Sequence, residues 1–96
     1  MIKKKALMNR QHSQYQEVLN KLRYLMVELL SCDPEFIVPD ASLEDDLGIV
    51  LDDAFIFKFI KRLNITFKIV LTPDDLEDVV TIHDVVEAIL TELDLG

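Results

Sequence analysis

Residues 52–67 decide the fold class, and they read Asp-Asp-Ala-Phe-Ile-Phe-Lys-Phe-Ile-Lys-Arg-Leu-Asn-Ile-Thr-Phe. Phe55, Phe57 and Phe59 alternate as they would on one face of a strand. A second set of apolar residues recurs at the spacing of a helix, namely Phe55, Ile56, Phe59, Ile60, Leu63 and Phe67. These six side chains would span an arc of about 140° on a helix. A strand would instead separate the isoleucines from the phenylalanines, so the segment is predicted to be helical.

The same periodicity predicts two features of this helix. Asp52 and Asp53 lie at its start, where carboxylates favour the free N–H groups and the positive end of the helix dipole. Phe57 lies well outside the apolar stripe, on the side of Lys61.

Two further helices flank this segment. Residues 14–30 carry apolar side chains with helical spacing, and Pro34 disfavours helix at the preceding residue. Thr81 precedes a third apolar series, and Thr72-Pro73-Asp74-Asp75 predicts a short helix at about 73–78. The fold class is therefore predicted to be all-α: a small four-helix bundle of three main helices and one short one, with a long loop between helices 1 and 2. Residues 14–96 form the domain, and residues 1–13 are predicted to be a basic, flexible tail.

The composition limits the classes of function. The 96 residues allow one domain, and 18 acidic against 10 basic residues give a net charge of −8, which disfavours binding to nucleic acid. No apolar run approaches the roughly 20 residues of a membrane span. Cys32 is the single cysteine, so no internal disulfide can form, and this fits a reducing cytoplasm. We therefore expect a cytoplasmic protein, and we also expect a monomer.

Residues that would carry catalysis or bind a metal are not grouped in the sequence. His12 and His83 have no cysteine or second histidine at ligand spacing. The acidic clusters lack the spacing of a calcium-binding loop. The sequence therefore predicts that the protein is not an enzyme and binds no metal.

Residues 40–48 carry a family resemblance, and they read Asp-Ala-Ser-Leu-Glu-Asp-Asp-Leu-Gly. This stretch resembles the loop that leads into the second helix of acyl carrier proteins, and the order of the flanking helices agrees over residues 14–93. The resemblance implies the four-helix fold of that family and a function in fatty-acid or polyketide-type metabolism.

The family's attachment serine has no counterpart here. In carrier proteins an Asp-Ser-Leu motif follows the Leu-Gly pair, and its serine takes the phosphopantetheine arm. Counting forward from Gly48 places that position at Leu51, and counting back from the apolar residues of the second helix places it at Asp53. Neither residue has a nucleophilic hydroxyl. Leu51, Asp52 and Asp53 are therefore interpreted as a degenerate attachment region, and no phosphopantetheine cofactor is expected.

Ser42 has a second interpretation. Ala41-Ser42-Leu43 superficially matches the attachment motif, but an arm at Ser42 would leave Asp46-Leu47-Gly48 unexplained. Because Ser42 and Asp45 match the S-x-x-[DE] capping pattern, Ser42 is interpreted as the cap of a short turn.

The second helix also departs from the family in its charge. Residues 58–68 contain four bases and no acid, whereas the resemblance implies an acidic recognition helix. Phe57, Lys58, Lys61 and Arg62 are candidate partner-binding residues, with the alternative that Phe57 is only the edge of the core. The leading hypothesis is a non-catalytic protein-binding module whose partner is a synthase or transferase of acyl metabolism. The alternatives are a working carrier with an unrecognised attachment site, and a regulatory adaptor whose basic helix binds an acidic partner.

Overall fold

The structure, a computed structural model, describes the backbone of residues 13–95 and the side chains of residues 13–94. The predicted tail, residues 1–13, lies outside the described residues except for Ser13, which begins the first helix.

Three α-helices form the fold: α1 is Ser13–Leu30, α2 is Asp53–Phe67 and α3 is Ile82–Leu95. Two short 3-10 helices, Pro34–Phe36 and Pro73–Leu76, lie in the connections. Residues 13–95 contain no β-strand, only an isolated bridge between Ser42 and Thr81. The all-α class is confirmed. The short fourth helix expected at 73–78 is a 3-10 turn of four residues, since its N–H bonds reach back only three residues.

Local hydrogen bonds begin α2 and end both α1 and α2. Asp52 caps α2, since its Oδ1 accepts a hydrogen bond of 2.9 Å from the N–H of Phe55. Ser31 and Lys68 each adopt a left-handed conformation with φ of 57° just after a helix. Both N–H groups bond carbonyls of the last helical turn, so each residue ends its helix as a C-terminal cap.

One apolar core joins the three helices. The buried face of α2 consists of Phe59, Ile60, Leu63 and Phe67. Phe59 is 1% exposed, whereas Phe57, two residues earlier, is 73% exposed. Phe57 and Phe59 would share a face in a strand, so their opposite environments reflect the helical geometry.

Tyr15 and His83 join α1 to the start of α3. Tyr15 is fully buried, and its hydroxyl lies 2.6 Å from Nδ1 of His83. The two rings stack with centroids 5.6 Å apart. The hydrogen bond satisfies the polar end of a buried tyrosine.

None of the helices within residues 13–95 combines the length and the apolar content needed to cross a membrane.

The opposite environments of the two phenylalanines generate a prediction. Phe59→Ala should lower the free energy of unfolding by about 3–5 kcal/mol, because it leaves a cavity in the core. The matched change Phe57→Ala should cost less than about 0.5 kcal/mol, since that side chain is exposed. Urea denaturation followed by circular dichroism measures both values, and equal losses would contradict the helical register of α2.

Candidate functional site

Backbone hydrogen bonds connect the loop before α2 to the start of α3. The N–H of Leu43 donates to the carbonyl of Val80 at 2.9 Å, and the N–H of Ile82 donates to the carbonyl of Ala41 at 3.0 Å. Leu43 is also buried in the core, as are Ala41 and Ile49. Long-range backbone bonds and apolar anchors thus hold a segment that has almost no regular secondary structure.

Ser42 caps a tight turn within this loop. Its Oγ accepts a hydrogen bond of 3.0 Å from the N–H of Asp45, as the capping pattern predicts. In the capping pattern the side chain of Asp45 would accept the reciprocal bond from the N–H of Ser42. Here Oδ2 of Asp46, one residue later, accepts that bond at 2.7 Å. The turn ends at Gly48, whose φ of 67° lies in the left-handed region that favours glycine.

The predicted attachment region lies at the junction between this loop and α2. Leu51 stands two positions before the helix, Asp52 is the N-cap and Asp53 is the first helical residue. Both aspartates are exposed. Of the two positions given by counting, only that of Asp53 lies at the helix N-terminus itself.

This junction does not fit covalent attachment of phosphopantetheine. A phosphodiester requires a hydroxyl, and Leu51, Asp52 and Asp53 have none. The two carboxylates at the helix start would also repel a phosphate placed there. The nearby serine hydroxyl on the loop is that of Ser42.

The four partner-binding candidates are divided between two surfaces. Phe57, Lys58 and Lys61 are exposed on the outer side of α2. Arg62 lies instead toward α1, where its Nη2 is 3.0 Å from Oε1 of Glu28. Sequence reasoning could not identify this pair, since its members are 34 positions apart.

Two exposed apolar residues were missed at the sequence level. Ile65 is 68% exposed on α2, and Val70 is 74% exposed shortly after it. The signal for Ile65 was available: at about 100° per residue it lies roughly 150° from the centre of the apolar stripe, on the side that faces away from the core.

Asp84 stabilises the start of α3, against which the loop is fastened. Burial alone would raise the pKa of its carboxyl group, but hydrogen bonds from the N–H groups of Val80 and Thr81 and from the Thr81 hydroxyl oppose burial. Together with the nearby His83, they hold the pKa of Asp84 below its ordinary value.

No group of three or more histidine, cysteine, aspartate or glutamate side chains is placed to hold a metal ion in the part of the chain that the structure describes.

Comparison with known proteins agrees with this architecture. A family profile described as the phosphopantetheine attachment site matches residues 20–89. The acyl carrier protein of Thermosynechococcus vestitus is 32% identical over 73 residues, covering 76% of this chain and 88% of that protein. The acyl carrier protein of Karelsulcia muelleri is 30% identical over 78 residues, covering 81% of this chain and 92% of that protein. That of Desulforapulum autotrophicum is 34% identical over 70 residues, covering 72% and 88%.

These matches contradict the expectation that the chain has no cofactor. The matched family is that of phosphopantetheine attachment, and so it implies a phosphopantetheine group here. The expectation was wrong because it took a missing hydroxyl at two counted positions as the absence of the group from the whole chain. What the structure adds is that residues 51–53 are unsuited to hold that group covalently.

The bonds to Asp84 predict a pH-dependent contribution to stability. Because its folded pKa is lowered, the carboxylate stabilises the folded state fully above its unfolded pKa of about 3.9. That stabilisation is lost as the pH falls through the lower folded value. The cost of Asp84→Asn should therefore be largest near pH 7 and shrink below about pH 4.

Urea denaturation across this pH range measures that cost. Asp78→Asn is the matched control, since it makes the same change of charge at an exposed position. A cost of Asp84→Asn that stayed constant down to about pH 2 would contradict this role of the carboxylate.

Proposed function

This chain belongs to the phosphopantetheine attachment-site family as an acyl-carrier-protein-type domain, and from that membership we propose that it acts as a non-catalytic domain on which enzymes of acyl metabolism dock. In this proposal its partner is a synthase or transferase of fatty-acid or polyketide-type metabolism. A cytoplasmic location and a monomeric state belong to the same proposal.

The observation that carries the proposal is the match over residues 20–89, which spans most of α1, the fastened loop, α2 and most of α3. The match thus covers the segments that form the three helices and not only the short stretch that resembles the family's loop.

A second candidate function is a working carrier whose arm lies on a hydroxyl other than the expected one. Two observations favour Ser42 for this role. The family implies a phosphopantetheine group, and residues 51–53 offer no hydroxyl to take it. Ser42 lies on the same loop, and its Oγ is held at the start of a turn by the N–H of Asp45.

The docking function predicts specific enzymes in a co-purification. The tagged chain, expressed in its native host and cross-linked, should enrich synthases or transferases of acyl metabolism, as identified by quantitative mass spectrometry. A tagged Phe59→Asp chain is the control, since a carboxylate in the core should unfold the domain while it leaves the rest of the sequence intact. Equal enrichment of these enzymes by both chains, or by neither, would reject the docking function.

The second candidate predicts a change of mass that depends on Ser42. Incubation of the purified chain with a broad-specificity phosphopantetheinyl transferase and coenzyme A should add the mass of one phosphopantetheinyl group. Ser42→Ala should abolish this gain, and Ser31→Ala, at the end of α1, should preserve it. Intact-protein mass spectrometry measures all three samples. An unchanged mass of the parent chain would eliminate Ser42 as the attachment site, as would a gain that Ser42→Ala retains.

A further inference from the structure

The outer side of α2 is an exposed surface on which apolar and basic residues alternate. We define this outer face by Phe57, Lys58, Lys61 and Ile65, all of them exposed. At about 100° per residue, these four side chains lie within an arc of roughly 100° on the helix. Lys68 and Val70 extend the same pattern just beyond the end of α2, and both are exposed.

The spacing along the helix separates two apolar positions by one base. Phe57 and Ile65 are eight residues apart, which is about 12 Å along an α-helix. Lys61 lies midway between them. Exposed apolar residues that stand alone are normal on a protein surface. Here two large ones share one face and are interleaved with cations, which is the arrangement of a contact surface.

The bases of the outer face are free to meet external charges. Lys58 and Lys61 are exposed, and residues 58–68 contain no acid that could neutralise them along the helix. Arg62, the base that does have a described partner, lies toward α1 and Glu28. The outer face is therefore positive on a chain whose net charge is −8.

This distribution of charge distinguishes between possible occupants. A second copy that docked face to face would bring Lys58 and Lys61 against the same lysines, and like charges oppose such pairing. An anionic membrane or nucleic acid would attract the outer face but repel the remainder of the acidic chain. A protein helix of limited length can contact the outer face alone.

We propose that the outer face of α2 binds an acidic amphipathic helix of a partner protein, which packs along α2. Two apolar side chains of that helix, about two turns apart, contact Phe57 and Ile65, and its carboxylates pair with Lys58 and Lys61. The inference deepens the proposed function, because it states the chemistry of the partner and rests on the docking role.

A synthetic peptide tests this surface on the full chain. The probe is an alanine-based helix of about 18 residues, with leucines two turns apart and glutamates beside them. Amide chemical shifts of the isotope-labelled chain, recorded at peptide concentrations up to about 1 mM, should change along α2, and the binding should weaken as salt is added. The control peptide has a lysine in place of each glutamate and should not bind.

Matched variants assign the binding to particular residues. Lys61→Glu should weaken binding of the acidic peptide by about fivefold. Lys21→Glu, which makes the same change of net charge on the exposed side of α1, should have little effect. Phe57→Ser should weaken binding about tenfold or more. Tyr24→Ser, which removes another aromatic side chain that is 72% exposed but lies on α1, should not.

Three results would overturn the proposal. The first is the absence of shift changes with the acidic peptide. The second is equal weakening by the α1 and α2 variants. The third is binding to vesicles of phosphatidylcholine and phosphatidylserine that the acidic peptide does not displace, since that would identify a membrane surface instead. Each result is independent of the co-purification, so the outer face can fail while the docking function stands.

Discussion

The backbone bonds between the loop before α2 and the start of α3 are the constraint that orders the long connection between α1 and α2. The chain between α1 and α2 has no helix beyond one 3-10 turn, so local bonds alone would not place it. Leu43 is held twice, by burial of its side chain and by its N–H bond to Val80. Asp84, whose carboxylate accepts from Val80 and Thr81, stabilises the backbone that receives this bond. These contacts hold the loop that leads into α2.

The start of α2 carries two carboxylates within the helical framework of the family. The Asp52 side chain performs the ordinary structural task of a helix cap, and Asp53 follows it at the positive end of the helix. Both roles favour carboxylates for the stability of the helix. Neither residue offers the hydroxyl that the family's prosthetic group requires. If this chain carries the group that the family implies, the group must be attached to another hydroxyl. Ser42, on the adjoining loop, is the candidate proposed above.

The two sides of α2 differ in burial. Phe59 and Leu63 lie in the core and hold the helix, whereas Phe57 and Ile65 lie in solvent and contribute little to the fold. The basic residues follow the same division. Lys58 and Lys61 remain on the outer face, and Arg62 connects α2 to α1 through Glu28. A single basic segment in the sequence thus contributes to two places, a contact within the domain and a surface exposed to solvent.

The sequence alone determined the all-α class, the approximate bounds of the three helices, the capping roles of Asp52 and Ser42, and the resemblance carried by residues 40–48. These features depend on residues within a few positions of one another. Helical periodicity and helix caps are such local patterns, so they can be recognised in the sequence. The tertiary structure decided that Arg62 pairs with Glu28 and that Leu43 of the loop bonds to Val80. The physical reason is that these outcomes depend on which distant segments pack together, and no local pattern of residues records that packing.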